Sequence, residues 1–164
     1  MNAVIGLGAS LGDRATTLET AVRLLHAWPG LEVRRTSRVY ASAPAGGVAG
    51  QPFLNAAVLV ACAISADALA GALRQIEVRL GRRPSRRWAD RIVDLDLLWI
   101  EGFRLRSAGL TVPHPRLRER DFALIPLVEV APSAVEPRSH TRYADLPLAR
   151  GRLPAVGTLP QRNG

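Results

Sequence analysis

Between Asn2 and Ile100 the hydrophobic period switches between two residues and about 3.6. The order of those switches limits the fold more than any other feature of the sequence. Asn2 to Leu7 reads as a short buried strand. Asp13 can cap a helix running to about Trp28, with Leu18, Val22 and Leu25 as its apolar stripe and Thr16 with Glu19 as a capping box. Pro29-Gly30 ends it. Leu31 to Ser42 reads as a second strand. Phe53 to Ile64, nearly continuous in apolar residues, reads as a third. Ser65 or Asp67 starts a second helix, Ala66 to Leu80, with Leu69, Leu73, Ile76 and Leu80 on one side and Gly81 as its C-cap. Glu77 sits next to that stripe, where it is expected to be partly buried. A fourth strand follows over Val93 to Ile100. The order βαββαβ predicts an α+β fold: a ferredoxin-like core with a mostly antiparallel sheet, helices packed on one face of it, and a C-terminal extension.

In that extension, Gly102 to Thr111 predicts a short strand pair, and Thr111-Val112-Pro113-His114-Pro115 a stiff loop. Arg116 to Arg120 is strongly basic. Asp121 to Val130 reads as a helix, with Phe122, Leu124, Ile125 and Leu127 apolar and Pro126 in the first turn if the helix starts late. From Ala131 the chain is polar and rich in proline. Residues 1–150 are expected to form one domain and 151–164 a flexible tail.

The formal charge of +8 over 164 residues points to an anionic partner: nucleic acid, nucleotide or acidic surface. Every basic side chain is Arg, so chemistry that needs a Lys amine is excluded, the phosphate-loop lysine included. Cys62 is alone in an apolar run, which predicts a buried thiol, no disulfide and a reducing, cytoplasmic setting. No secretory signal and no bilayer-length apolar run is visible, so no membrane is expected. Gly6-Leu7-Gly8-Ala9-Ser10-Leu11-Gly12 has the spacing GxGxxxG, not the GxGxxG of dinucleotide folds. No acidic residue closes the second strand to hold a ribose. The glycines instead allow a substrate close to the backbone, or make a tight turn.

Arg82 to Ile100, RRPSRRWADRIVDLDLLWI, carries the densest chemistry. Val93, Leu95, Leu97 and Trp99 fall on one strand face, Asp94 and Asp96 on the other. Alternate residues of a strand stand about 7 Å apart, so two such carboxylates can turn toward one cation or a pair of them. Arg82, Arg83, Arg86, Arg87 and Arg91 lie just upstream. Carboxylates for a hard cation beside guanidinium groups for oxyanions suggest a magnesium–polyphosphate site. A half-solvated strand after a solvated basic loop would leave the same pattern.

Five segments, in order, resemble one family, the 6-hydroxymethyl-7,8-dihydropterin pyrophosphokinases of folate biosynthesis. They are IGLGASLGDR, YASAPAGG with QPFLNAAV, IEVRLGR, RWADRIVDLDLL, and LTVPHPRLRERDFALIPLVEVAP. The resemblance covers Val4 to about Pro132. It implies an ATP-dependent enzyme that moves the β,γ-pyrophosphoryl group to the pterin hydroxymethyl oxygen and releases AMP. It implies two Mg2+ ions held by Asp94 and Asp96, with Arg82 and Arg91 beside them as catalytic residues. It implies a pterin between Phe53 and Phe122, read by Asn55, with Gly8, Ser42 and Ala43 lining the pocket. For ATP it implies Glu77, Arg82, Trp88, Arg91, Leu97, Thr111, His114 and Arg120, with Trp88 helping to close the site. ATP and the pterin are then the partners of a cytoplasmic monomer that binds neither nucleic acid nor membrane.

Some positions depart from the family pattern. Ser10 stands where Asn is usual, Phe53 replaces a frequent Tyr, and Ala43 and Ala45 replace larger residues. Pro84, Ser85, Pro115 and Arg74 stand at other positions where contacts with the nucleotide are usual. Two further readings compete with active membership: a catalytically weakened member, and a basic ferredoxin-like RNA-binding module. The latter stacks bases on aromatics of its first and third strands, and here PFLNAAVLV lacks the aromatic-rich pattern.

Overall fold

The computed structural model describes residues 1–43, 51–82 and 92–160. Its elements run β1 (Asn2–Ala9), α1 (Arg14–His26), β2 (Leu31–Thr36), β3 (Arg38–Ser42), β4 (Phe53–Cys62), α2 (Ala66–Arg79), β5 (Asp94–Ile100), β6 (Leu105–Ser107), β7 (Leu110–Val112), α3 (Asp121–Val130) and β8 (Ala155–Thr158). The main sheet is ordered β5-β1-β4-β3-β8, and β2 pairs β4 beside β3. All of its pairings are antiparallel. Counting β2 and β3 as one broken strand, the order is fourth-first-third-second, which is the ferredoxin-like arrangement.

The sheet is buried on both faces. Ala3, Ile5 and Leu7 of β1, Val58 and Val60 of β4, and Leu95 and Leu97 of β5 join Leu18, Val22 and Leu25 of α1 and Leu69, Leu73 and Ile76 of α2. The alternate residues Val4 and Ala57 turn the other way, toward Leu124, Leu127 and Val130 of α3 and toward Tyr143. The helices expected on one face are α1 and α2; the extension supplies α3 to the other. That second face carries the glycines of β1, and there a cleft opens.

Local chemistry places the helix ends. Asp13 caps α1, its carboxylate accepting from the Thr16 backbone N–H at 3.1 Å and from the Thr16 hydroxyl at 2.8 Å. The expected Thr16–Glu19 box is therefore replaced by an Asp13–Thr16 cap, and α1 stops at His26. Ser65 caps α2, accepting from the Ala68 N–H at 3.2 Å. Gly81, just past the Leu80 C-cap, takes φ +92°, a conformation that suits glycine.

Several expectations need correction. The single strand Leu31–Ser42 is broken at Ser37. The Ser37 hydroxyl accepts from the Ala57 N–H at 2.8 Å and donates to the Arg38 carbonyl at 2.7 Å, bridging the break. Trp99 lies on the α3 face, not with Leu95 and Leu97. A β-bulge explains this: Ile5 pairs Leu97 and Val4 pairs Trp99, so Leu98 is an extra residue and the alternation inverts. The Leu98 carbonyl accepts from the His114 N–H at 2.8 Å, and the Trp99 indole donates to the Val135 carbonyl at 2.8 Å. Pro126 sits in the interior of α3, not its first turn. Having no N–H, it cannot donate to the Phe122 carbonyl four residues back. The expected flexible tail contains β8, which pairs β3, and Leu159, which is buried in the α1/α2 core.

Candidate active site

A cavity of about 220 Å³ opens on the α3 face of the sheet. Gly6 and Gly8 of β1 form its floor. A methyl group at Gly6 would stand 3.0 Å from the Leu98 side chain, and one at Gly8 would stand 3.7 Å from the Asn55 Oδ1. Asn55 of β4 and Ser42 and Ala43 at the end of β3 form one wall, and the Asn55 Nδ2 donates to the Ser42 hydroxyl at 2.8 Å. Phe53 and Phe122 both line the space. Opposite them stand Asp94, Asp96 and Leu98 of β5, with His114 and Arg120. The predicted carboxylate strand and the predicted aromatic slot thus open into one cavity.

The charged end is layered. Glu77 is 6% exposed, held between α2 and β5. It accepts from the Leu95 N–H at 2.8 Å and pairs with the Arg82 guanidinium. The same guanidinium stands 3.4 Å from Asp94. Burial raises the Glu77 carboxyl above its ordinary range, against the opposing pull of Leu95 and Arg82. Asp96 is open to the cavity yet ringed by protein on its other sides. Burial raises its carboxyl too, the Asp94 charge adds to this, and His114 and Arg120 oppose it. Burial lowers the His114 imidazole, against the pull of Asp96, so the neutral ring is favoured. Its Nδ1 accepts from the Arg116 N–H at 3.2 Å. That assigns the remaining proton to Nε2 and makes His114 a donor. The Arg120 guanidinium lies 5.6 Å over the Phe122 ring, linking the charged and aromatic ends.

Oxygen ligands from one or two carboxylates, completed by water and substrate phosphates, are what magnesium prefers. Asp94 and Asp96 fit that requirement. Among the described residues no group of three or more His, Cys, Asp or Glu side chains forms a cage, so the other ligands would come from substrate and solvent.

Residues 4–132 match the family described as 7,8-dihydro-6-hydroxymethylpterin-pyrophosphokinase. The chain belongs to that family. It is 41% identical over 133 residues to the 2-amino-4-hydroxy-6-hydroxymethyldihydropteridine pyrophosphokinase of Methylorubrum extorquens, covering 81% of this chain and 84% of that one. It is 40% identical over 128 residues to the Bacillus subtilis protein of the same name, covering 78% and 77%. Among solved structures, Plasmodium falciparum HPPK-DHPS superimposes with a TM-score of 0.72 at 14% identity. That match covers 88% of this chain but only 44% of the solved one, and it speaks to fold alone. The chain is accordingly a pyrophosphokinase, transferring the pyrophosphoryl group of ATP to the hydroxymethyl group of 6-hydroxymethyl-7,8-dihydropterin in folate synthesis.

The site residues expected from the sequence take different places in this pyrophosphokinase. Gly8, Ser42, Ala43, Phe53, Asn55, Asp94, Asp96, His114, Arg120 and Phe122 line the cavity. Glu77 and Arg82 lie behind it, joined to β5 as described. Leu97 turns its side chain into the α1/α2 core, so only its backbone is left for a ligand on the α3 face. Thr111 is half-buried in β7, outside the cavity lining. Trp88 and Arg91 lie outside the described residues. Leu98 and Ala123 line the cavity without having been expected there. Alternation with Asp94 and Asp96 could have placed Leu98 there, whereas Ala123 gave no signal beyond its place beside Phe122.

Proposed function

We propose that this cavity is where the pyrophosphoryl transfer occurs, with the pterin in the Phe53–Phe122 slot and the ATP phosphates over Asp94 and Asp96. The new bond joins the hydroxymethyl oxygen to the β-phosphorus. The bond from that phosphorus to the oxygen bridging the α-phosphorus breaks, and this oxygen leaves on AMP. Such a transfer asks a protein for positioning and charge neutralisation more than for covalent chemistry. Two magnesium ions on Asp94 and Asp96 would neutralise phosphate charge and favour ionisation of the attacking hydroxyl.

The chain's own residues do the rest. Two aromatic rings suit a flat heterocycle, and the Asn55 amide offers a donor and an acceptor to its edge. Gly8 lets that edge approach the strand backbone. Arg82 and Arg120 present guanidinium groups suited to phosphate oxygens, and Arg91 and Trp88 are assigned with them by resemblance. The His114 Nε2–H supplies one further hydrogen bond. Glu77 holds Arg82 in place, and Leu97 and Thr111 are assigned to the nucleotide side.

The observation that carries this reading is that Asp94 and Asp96 face the cavity that also contains Phe53, Phe122 and Asn55. Its test is AMP formation from ATP, magnesium and the hydroxymethylpterin. Asp94→Ala and Asp96→Ala should each lower turnover by about a hundredfold or more, with circular dichroism unchanged. Near-normal turnover in both variants rejects the carboxylate assignment.

The RNA-binding alternative is disfavoured because α3 covers the sheet face on which such modules stack bases. Among the described residues no helix is long and apolar enough to cross a membrane. A cytoplasmic setting remains the reading, in keeping with the buried free thiol of Cys62, and the monomer is assigned by resemblance alone.

A further inference from the structure

A polar lock on α3 lies outside the cavity and is not used by the transfer. One Glu129 carboxylate oxygen accepts from both the Arg38 backbone N–H, at 3.2 Å, and the Arg38 guanidinium, at 3.1 Å. The other accepts from the Tyr40 hydroxyl at 2.6 Å. Tyr40 is 3% exposed, and the Arg38 guanidinium lies 5.5 Å over its ring.

The position of this lock gives it a consequence at a distance. Arg38, Tyr40 and Ser42 alternate along β3 and share the face turned to α3. Phe122 and Glu129 are seven residues apart on α3. Seven residues are about 20° short of two full turns and span about 10 Å, so both side chains share one stripe of the helix. Two matched rows therefore face each other. At one end Glu129 grips Arg38 and Tyr40; at the other, Phe122 and Ser42 line the cavity. The apolar contacts of Leu124, Leu127 and Val130 hold α3 on the sheet. Such contacts are non-directional and allow the helix to turn about its axis. A turn of about 20° would move a ring at the helix's side-chain radius by about 2 Å.

We propose that Glu129 is a positioning residue for the transfer: by fixing the rotation of α3 against β3, it sets the spacing of the slot that Phe122 closes on the pterin. The inference rests on the pterin slot proposed above.

The test is isothermal titration of the full chain with a non-hydrolysable ATP analogue and magnesium, then with hydroxymethylpterin at saturating analogue. Glu129→Ala should weaken pterin binding about tenfold while analogue binding changes less than about twofold. Tyr40→Phe, which deletes one hydrogen bond, should weaken it in the same direction by less. Glu129→Gln should recover most of the affinity. Pterin affinity equal to wild type in Glu129→Ala, or an equal loss for both ligands, would overturn the proposal. If Glu129→Ala does not fold, unchanged pterin affinity in Tyr40→Phe overturns it instead. Phe122→Ala separates the two readings: no loss of pterin binding there removes the slot itself. A loss there, beside normal binding in Glu129→Ala, removes only the lock.

Discussion

Gly6 and Gly8 sit two residues apart on one strand, yet they are glycine for different reasons. Both line the cavity, but a methyl at Gly6 would crowd the buried Leu98 side chain and force it to shift, whereas Gly8 has room beneath Asn55. Gly6→Ala should therefore lower stability, read as a reduced thermal midpoint. Gly8→Ala should fold with an unchanged midpoint and bind pterin more weakly, by about tenfold, because a methyl takes the place of the ligand's edge. Equal behaviour of the two variants would contradict this division. At this scale the sequence was most legible where chemistry is rare. Two aspartates in an apolar strand, one asparagine opening another, and a phenylalanine after Arg-Asp all line the cavity. Trp99 was not legible. By alternation Leu97 joins Leu95 and Leu98 joins Asp96; it is Trp99, just past the bulge, whose orientation the alternation missed.

Helices were read correctly to within a turn because their signals are local: a cap, a stripe, a stop. Asp13 illustrates the energetics. Its hydrogen bonds to Thr16 hold the carboxyl below its ordinary range. A carboxyl lowered in the folded state adds stability above its unfolded value of 3.8, and this is lost as pH falls through the lower folded value. Chemical denaturation should thus find Asp13→Ala less stable than wild type at neutral pH, the gap closing as pH falls below 4. The stability difference between Asp13→Asn, which caps without titrating, and Asp13→Ala should stay constant as pH falls. Strands were harder to delimit. Every residue of β8 is exposed, so no alternation marks it, and it is defined by backbone bonds to β3 that side chains do not encode. The break at Ser37 and the bulge at Leu98 are likewise settled by partners far along the chain, the backbone of Ala57 and of His114.

For the molecule as a whole, the +8 charge is carried entirely by arginine over acidic residues, and the two substrates sense it unequally. ATP is highly anionic and the pterin is not. Raising salt from about 0.1 M to about 1 M shortens the screening length from about 10 Å to about 3 Å. Affinity for the ATP analogue should fall several-fold across that range while pterin affinity stays nearly constant. Parallel losses would remove long-range charge from the account of nucleotide capture. The βαββαβ order made the architecture legible, since few topologies satisfy it. The covering of the second face was not legible, because α3 is apolar around most of its surface and carries no single stripe to mark where it docks.

That division of the sheet has a consequence for synthesis. A ribosome makes β1 to β7 and the first two helices before it reaches Asp121. Until the later residues emerge, Val4, Ala57, Leu98 and Trp99 have no cover, and the nascent domain presents a greasy wall to its surroundings. The face that bears the cleft is thus covered late in synthesis, and until then it lies open to chaperones and neighbouring polysomes.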